Sequence, residues 1–470
     1  MLSLDDHDIV ESGSCRRLCL LRTSSFGVIF WCGNDTVAGW ALYLGLVLAQ
    51  RSFKRGRPIA GAQMLKSFYA LWGHRRKICR QNNHSHDHHR GKSDLAKLLT
   101  AFRRREASDH RDKVYALLGL ACNDVPGSSF EIDYPKSVRE TYENLAIHLL
   151  RTSDDLQVLC LNRNAMTLSS SMPSWVPDWA DNSMHAAPLR GDRDLSGDRG
   201  AGYLATPYRA TGDSARPVID GVRDGRLCLK GYVYDTIAEV GSVKFVAEDQ
   251  RQTQYETMLR HHSNKDSAAM LASATNVLQQ VTSGIPVFRE WERLAHLGNS
   301  DVAYPTGEDM ISVYRQTLMT CQDAEGLRFP GERFEAWRKF LKDVVNSLDD
   351  PVSYENPSSQ AGRKTLTAAQ ASILSSIRKY RASSRDSGSL VVPIEPTLYR
   401  SMVRATKGYL ALAPAATKLG DEVALLAGGR APYVVRPDGG DWKLVGTAYV
   451  HGIMYGEVWD PSQCHDMTFA

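Results

Sequence analysis

Hydrophobic and polar positions change period along this chain, and the changes mark its parts. From 95 to 105 the spacing predicts an amphipathic helix with Leu98, Leu99 and Phe102 on one stripe. The run 108–120 predicts a second helix, in which Asp109 is the N-cap and Asp112 stands near the positive end of the helix dipole. Val114, Leu117 and Leu118 make its apolar face, and Gly119 ends it. Ser137 followed by Glu140 is a capping box for a third helix, with Val138, Tyr142, Leu145, Ala146 and Leu149 inward. Asp154 and Asp155 then cap a short buried segment. Residues 172–179 form a rigid loop with two prolines, Pro173 and Pro177, and two tryptophans, Trp175 and Trp179.

Upstream, residues 28–33 read as a short buried strand, and Asn34 with Asp35 predicts the cap of a helix running to about Gln50. A strand followed by a helix suggests an α/β layer. Downstream, 180–216 is rich in Gly, Asp, Arg and Ser and reads as a linker, after which 226–237 alternates like strands. Residues 252–380 are mainly helical in pattern, with stripes Phe288, Trp291, Leu294 and Phe334, Trp337, Phe340, Leu341 at helical spacing. The last stretch changes to short strands, at 408–412, 422–426, 432–436, 442–446 and 449–450, separated by Gly-rich turns. The expected fold class is α+β. Residues 1–24 are unassigned and expected to be disordered, 25–180 form a partial α/β domain with helices, and 181–216 a linker. Residues 217–390 form a mainly helical region with initial strands, and 391–465 a small antiparallel β-barrel or sheet.

With 470 residues the chain is too long for one ordinary core, since a domain holds about 100–200. Its 57 basic and 53 acidic residues leave a net charge of +4, which implies neither nucleic acid nor an anionic membrane as partner. Nine scattered cysteines give no paired C-x-x-C, and Cys15 with Cys19 has no second ligand pair, so the cysteines are expected to be reduced and intracellular. Asp5, Asp6, Asp8 and Glu11 occupy the place of a basic signal-peptide region. Asn34 and Asp35 break the apolar stretch 26–49 into pieces shorter than the roughly 20 residues that span a bilayer. The run His84, His86, His88, His89 reads as a solvated loop before it reads as a metal site.

Catalytic sets are missing from the sequence: there is no G-x-S-x-G and no H-E-x-x-H. Cys32, His148 and His451 read singly as packed residues. No cofactor and no metal are expected. Arg111, Asp112 and Lys113 alternate in sign beside an apolar face. They are either an ordinary solvated first turn or the start of a half-buried ion-pair network around Arg111.

Taken in order, these pieces resemble the fungal heterokaryon incompatibility (HET) domain family. The matching residues are Arg111, Asp112, Lys113, Tyr115 and Gly119, then Asp133 and Tyr134 with the helix behind them, then Pro173, Trp175, Pro177, Asp178 and Trp179. Residues 408–410, 420–423 and 449–454 resemble the tail of long family members. The family's opening motifs, a Ser-Tyr-x-Trp-Gly strand and a Trp-Ile-Asp-x-x-Cys-Ile-Asn-Gln strand, have no counterpart before Phe26, so the expectation is an N-terminally truncated or divergent member. The resemblance implies non-self recognition and programmed cell death signalling in the fungal cytoplasm, through an unknown protein partner and without chemistry of its own. Two alternatives stay open. One is an NAD hydrolase of the Toll/interleukin-1 receptor-like type, acting through a glutamate of the α/β core. The other is a non-catalytic accessory or relic protein.

Overall fold

One long strand, β5 (Arg226–Val243), ties the architecture together. The computed structural model describes residues 19–23, 27–32, 35–38, 94–102, 106–118, 130–153, 155–161, 168, 172–181, 208–212, 217, 219–223, 225–244, 284–299, 302–320, 331–349 and 397–470. Within them β1 (Cys19–Thr23), β2 (Gly27–Cys32) and β3 (Asp35–Ala38) make a three-stranded antiparallel sheet in the order β1-β2-β3.

This sheet corrects two expectations. Cys19–Thr23 is a strand within the stretch read as unpatterned. Asp35 opens a strand, not the expected helix, and pairs with Cys32 across the sheet. The physical reason is that Gly33-Asn34 between two apolar runs is a two-residue hairpin signal, and β-branched Thr36 and Val37 favour the pleated conformation. Residues 39–50, where the rest of that helix was expected, lie outside the described residues, as do the histidine run and Gly119.

Next come α1 (Asp94–Phe102), α2 (Asp112–Leu118) and α3 (Val138–Thr152). The capping box of α3 forms as expected: Glu140 N donates to Ser137 Oγ at 3.2 Å, and Ser137 N donates to Glu140 Oε2 at 2.8 Å. Tyr142, Leu145, Ala146 and Leu149 are buried. A 3₁₀ turn, Gln157–Cys160, follows, and Asp155 Oδ1 accepts from Gln157 N at 3.0 Å.

The second sheet has nine strands: β4 (Ile219–Arg223), β5, β6 (Arg400–Ala405), β7 (Leu410–Pro414), β8 (Glu422–Leu426), β9 (Tyr433–Asp438), β10 (Asp441–Thr447), β11 (Tyr449–Val450) and β12 (His465–Phe469). At Gly231 strand β5 is flanked on both edges, by His465 of β12 and by Leu426 of β8. The pairings β5-β12-β10-β9-β8-β5 therefore close into a ring, with β10 and β12 parallel and the rest antiparallel. Past Ile237, β5 leaves the ring and pairs with β6, which carries β7 and β11. The β9–β10 hairpin turns through Gly439 (φ 61) and Gly440 (φ 101), a two-residue connection with both central residues left-handed, which glycine adopts without steric cost.

Both faces of most strands are buried, so alternate residues enter different cores. Val403, Ala411, Ala413, Val423, Val434 and Val445 fill the interior with small side chains. On one outer face Leu227, Leu229, Leu426, Tyr433, Leu444 and Phe469 join α1, α2, α3 and Trp175 in a single core. On another, Met402, Leu410, Leu412 and Tyr449 pack under the helix at 284–294 (α4), α5 (Met310–Leu318) and α6 (Gly331–Asp349). The barrel is held between two helical layers.

Candidate functional site

The Arg111 motif is built by two loops that meet at the N-terminal end of α2. Asp109 Oδ1 accepts from Arg111 N at 2.9 Å, which caps the turn that leads into the helix. The same carboxylate holds the Arg111 guanidinium, with Nε at 3.0 Å from Oδ1 and Nη2 at 2.6 Å from Oδ2. Nη1 then reaches across to the second motif, donating to the Tyr134 carbonyl and, at 2.8 Å, to the Lys136 carbonyl. The Arg111 side chain is 23% exposed, so the half-buried network is what forms, with Asp109 as its counter-ion. Those hydrogen bonds hold the Asp109 carboxyl down at about 2.

Asp112, Tyr115 and Tyr134 complete the junction. Tyr134 lays its ring against the guanidinium, 5.3 Å from ring centroid to Cζ, and its hydroxyl donates to Asp112 Oδ1 at 2.6 Å. That acceptor pushes the Tyr134 phenol up. Tyr115 meets Tyr134 edge to face at 5.2 Å and donates its hydroxyl to the Asp133 carbonyl at 3.0 Å. Lys113 is buried, and burial lowers its ammonium pKa against the pull of the Glu106 and Asp178 carboxylates.

The third motif joins this junction to the barrel. Trp179 packs edge to face on Tyr142 at 5.2 Å, and Tyr142 in turn donates to the His110 carbonyl at 2.7 Å. Trp175 is wholly buried, and its Nε1 donates to the Gly225 carbonyl at 2.9 Å, at the turn between β4 and β5. Ser174 completes the seat. Its N donates to the Ala470 carbonyl at 2.8 Å, its hydroxyl donates to the same oxygen, and Oγ accepts from Leu444 N at 2.9 Å. Pro173 and Pro177 are buried on either side of Trp175. Two more bonds tie the 3₁₀ turn to the barrel: Tyr433 OH to the Leu156 carbonyl at 3.2 Å, and Arg430 Nε to Asp155 Oδ2 at 2.9 Å.

Beside Tyr115 lies a cavity of about 250 Å³ lined by Phe130, Glu131, Lys136, Thr141, Asn144 and His148 as well. Burial lowers the His148 pKa, so this imidazole is held towards its neutral form. His451, the other histidine singled out, sits in the seam between barrel and helices, with Nε2 2.8 Å from Glu308 Oε2 and Nδ1 3.1 Å from Tyr449 OH. Of Cys32 only the backbone is described, at the end of β2.

Sequence reasoning placed the three motifs in order but missed what joins them. Asp109 was read as a cap alone, although an Asp two residues before an Arg at a helix start can serve both roles. Nothing local marks Ser174, whose partners are distant in the chain. Among the described residues no helix is long and apolar enough to cross a membrane, and no group of His, Cys, Asp and Glu could hold a metal ion.

Comparisons with known proteins agree with this layout. Residues 336–469 match the family model of the Het-6 beta-barrel domain. The match begins in α6 and takes in β6 to β12, whereas β4 and β5 are supplied from outside it. Heterokaryon incompatibility protein 6, OR allele, of Neurospora crassa is 24% identical over 382 residues, 76% of this chain and 50% of that protein. The chain thus spans about half the length of the curated relative it matches. No solved structure matches.

Proposed function

We propose that this chain, a member of the heterokaryon incompatibility family that carries a Het-6 β-barrel, works in fungal non-self recognition and programmed cell death signalling by binding another protein inside the cell. In this reading the Arg111 junction is the face that meets the partner, and the barrel sets the state of that face. One observation carries it: the Pro-Trp loop is bonded on one side to the Arg111 helix layer and on the other to the barrel, through Trp179–Tyr142 and Ser174–Leu444. Two residues of the loop before α3 support the recognition role. Ile132 is 56% exposed and Tyr134 49%, an apolar pair presented to solvent beside a rigid charged network.

Expression of the full chain in a fungal host, scored by growth and viability, tests the reading. Arrest or death is the expected result, with Ile132→Asp abolishing it while the variant protein accumulates to the wild-type level. Unchanged growth on expression of the wild-type chain, or equal killing by the Ile132 variant, counts against it.

A further inference from the structure

A row of rings runs from the Arg111 junction into the cavity beside it. The Arg111 guanidinium lies over Tyr134, Tyr134 meets Tyr115 at 5.2 Å, Tyr115 meets Phe130 at 6.4 Å, and Phe130 meets His148 at 5.8 Å. The last three of these residues line the cavity of about 250 Å³. One wall is a face of α3, on which Thr141, Asn144 and His148 stand at helical spacing. Another is the segment 130–136, which is held before anything binds. Arg111 Nη1 donates to the Lys136 carbonyl at 2.8 Å, the Tyr115 hydroxyl donates to the Asp133 carbonyl at 3.0 Å, and Asp133 N donates back to that hydroxyl at 3.3 Å. A wall fixed in this way costs a ligand little ordering.

The groups left to a ligand favour a cation. Thr141 Oγ1 is spent on the Ser137 carbonyl at 2.9 Å. Lys136 Nζ is paired with Asp133 Oδ2 at 3.1 Å, so the ammonium at the rim is offset. Glu131 is exposed and makes no ion pair among the described residues, which leaves its charge uncompensated. The exposed Asn144 amide makes no hydrogen bond among the described residues and offers a carbonyl oxygen. Burial holds the His148 imidazole towards its neutral form, so it offers an acceptor nitrogen and adds no positive charge.

The Arg111 junction shows what such a set takes. There the Tyr134 ring and the Asp109 carboxylate, 2.6 Å from Nη2, hold a guanidinium between them. The cavity repeats the combination, with Phe130 and Tyr115 as the rings and Glu131 as the carboxylate. Its volume is that of a cube about 6 Å on a side, which keeps a cation inside it within reach of the rings. We infer that the cavity receives an arginine side chain of the protein partner, with the guanidinium against Phe130 and Tyr115 and bonded to Glu131. The inference rests on the recognition reading of Ile132 and Tyr134, which lie between Glu131 and Lys136 in the chain. Arginine suits the place better than lysine, because its planar group stacks on rings and takes a carboxylate in a fork.

The test titrates the full chain with N-acetyl-arginine amide at constant ionic strength, read by saturation-transfer difference NMR. Saturable binding is expected. It should be weaker by about fivefold or more for N-acetyl-citrulline amide, the uncharged isostere, and for the Glu131→Gln variant. Glu131 is exposed, so this variant should melt with wild type, which separates lost binding from lost fold. Asn144→Asp, which adds a carboxylate to the α3 wall, should bind the probe more tightly. No saturable binding, equal binding of the two probes, or equal binding by Glu131→Gln overturns the proposal. Tighter binding of free arginine than of the capped form also overturns it, in favour of a small-molecule site. In the fungal host Glu131→Gln should abolish killing. Undiminished killing by Glu131→Gln overturns the proposal and leaves the recognition reading standing, whereas probe binding by a wild-type chain that does not kill upholds the guanidinium site and removes that reading.

Discussion

The Trp175 indole N–H donates to the Gly225 carbonyl, which fixes the Pro-Trp loop to the first hairpin of the barrel. Trp175→Phe keeps most of the apolar contact but leaves that carbonyl without its donor, and should cost about 1–3 kcal/mol. Trp175→Ala also opens a cavity in a core shared by two layers, so about 3–5 kcal/mol is expected. Urea unfolding of both variants checks the order. Equal midpoints for wild type and Trp175→Phe would show that the indole bond contributes nothing.

Arg111 and Asp109 give the chain an acid-sensitive joint. The Asp109 carboxyl is lowered from 3.8 to about 2 in the folded state, so the pair contributes stability that is present above pH 3.8 and lost as pH falls through about 2. In Arg111→Met the melting temperature should fall less steeply with acid in that window than it does in wild type. Arg139→Met, which removes an exposed partner of Glu143, should leave the profile unchanged. Parallel profiles for wild type and Arg111→Met would refute the assignment.

Lys244 predicts the opposite slope. Its ammonium falls from 10.5 to about 8 on folding, equivalent to roughly 3 kcal/mol of penalty for holding the charge at neutral pH. The folded chain releases the proton first, so stability should rise between pH 8 and pH 10.5 in chloride. Lys244→Met should be more stable than wild type at pH 7 and flat across that range. Calorimetry over the pH series decides it.

Asp421 is 2% exposed and takes Arg436 in a fork, Nε to Oδ1 at 2.7 Å and Nη2 to Oδ2 at 2.8 Å. It also accepts from Lys418 N at 2.8 Å, so the β7–β8 turn depends on it. Asp421→Ala strands the Arg436 charge and should cost about 3–5 kcal/mol, whereas replacing both partners by apolar residues should cost much less. A double-mutant cycle measured by denaturant unfolding tests the difference.

Elements written in adjacent residues were legible in the sequence. Ser137 and Glu140 form a capping box wherever a helix follows, and the stripe Tyr142, Leu145, Leu149 chooses its buried face without help from elsewhere. The β9–β10 turn was legible because two glycines in a row permit the left-handed pair. Asp35 misled because Asn and Asp serve both helix caps and hairpin ends, and the choice is made by pairing with β2. Strands β6 and β12 were missed. Arg400 and Ser401 are polar yet buried, which hides the strand pattern, and Met467 of β12 pairs with Leu229, far back in the chain. At the candidate site, the three motifs were visible in order, but the partners of Arg111 were not: Asp109 was read only as a cap, and the carbonyls of Tyr134 and Lys136 carry no side-chain signature.

The position of β5 also bears on how this chain can be made. Leu227 to Gly231 pair with β12 and Gly231 to Thr236 with β8, so the ring has a gap until a strand synthesised early meets strands synthesised last. Such high contact order is slow to reward its loop-closure entropy. Emerging from the ribosome with only Arg226–Leu229 covered on one edge by β4, β5 must wait with its β12 edge and its β8 pairing positions open through all of α4, α5 and α6. An excised fragment of 336–469 alone would keep that gap for good, so its β8 and β12 edges are where self-association should begin.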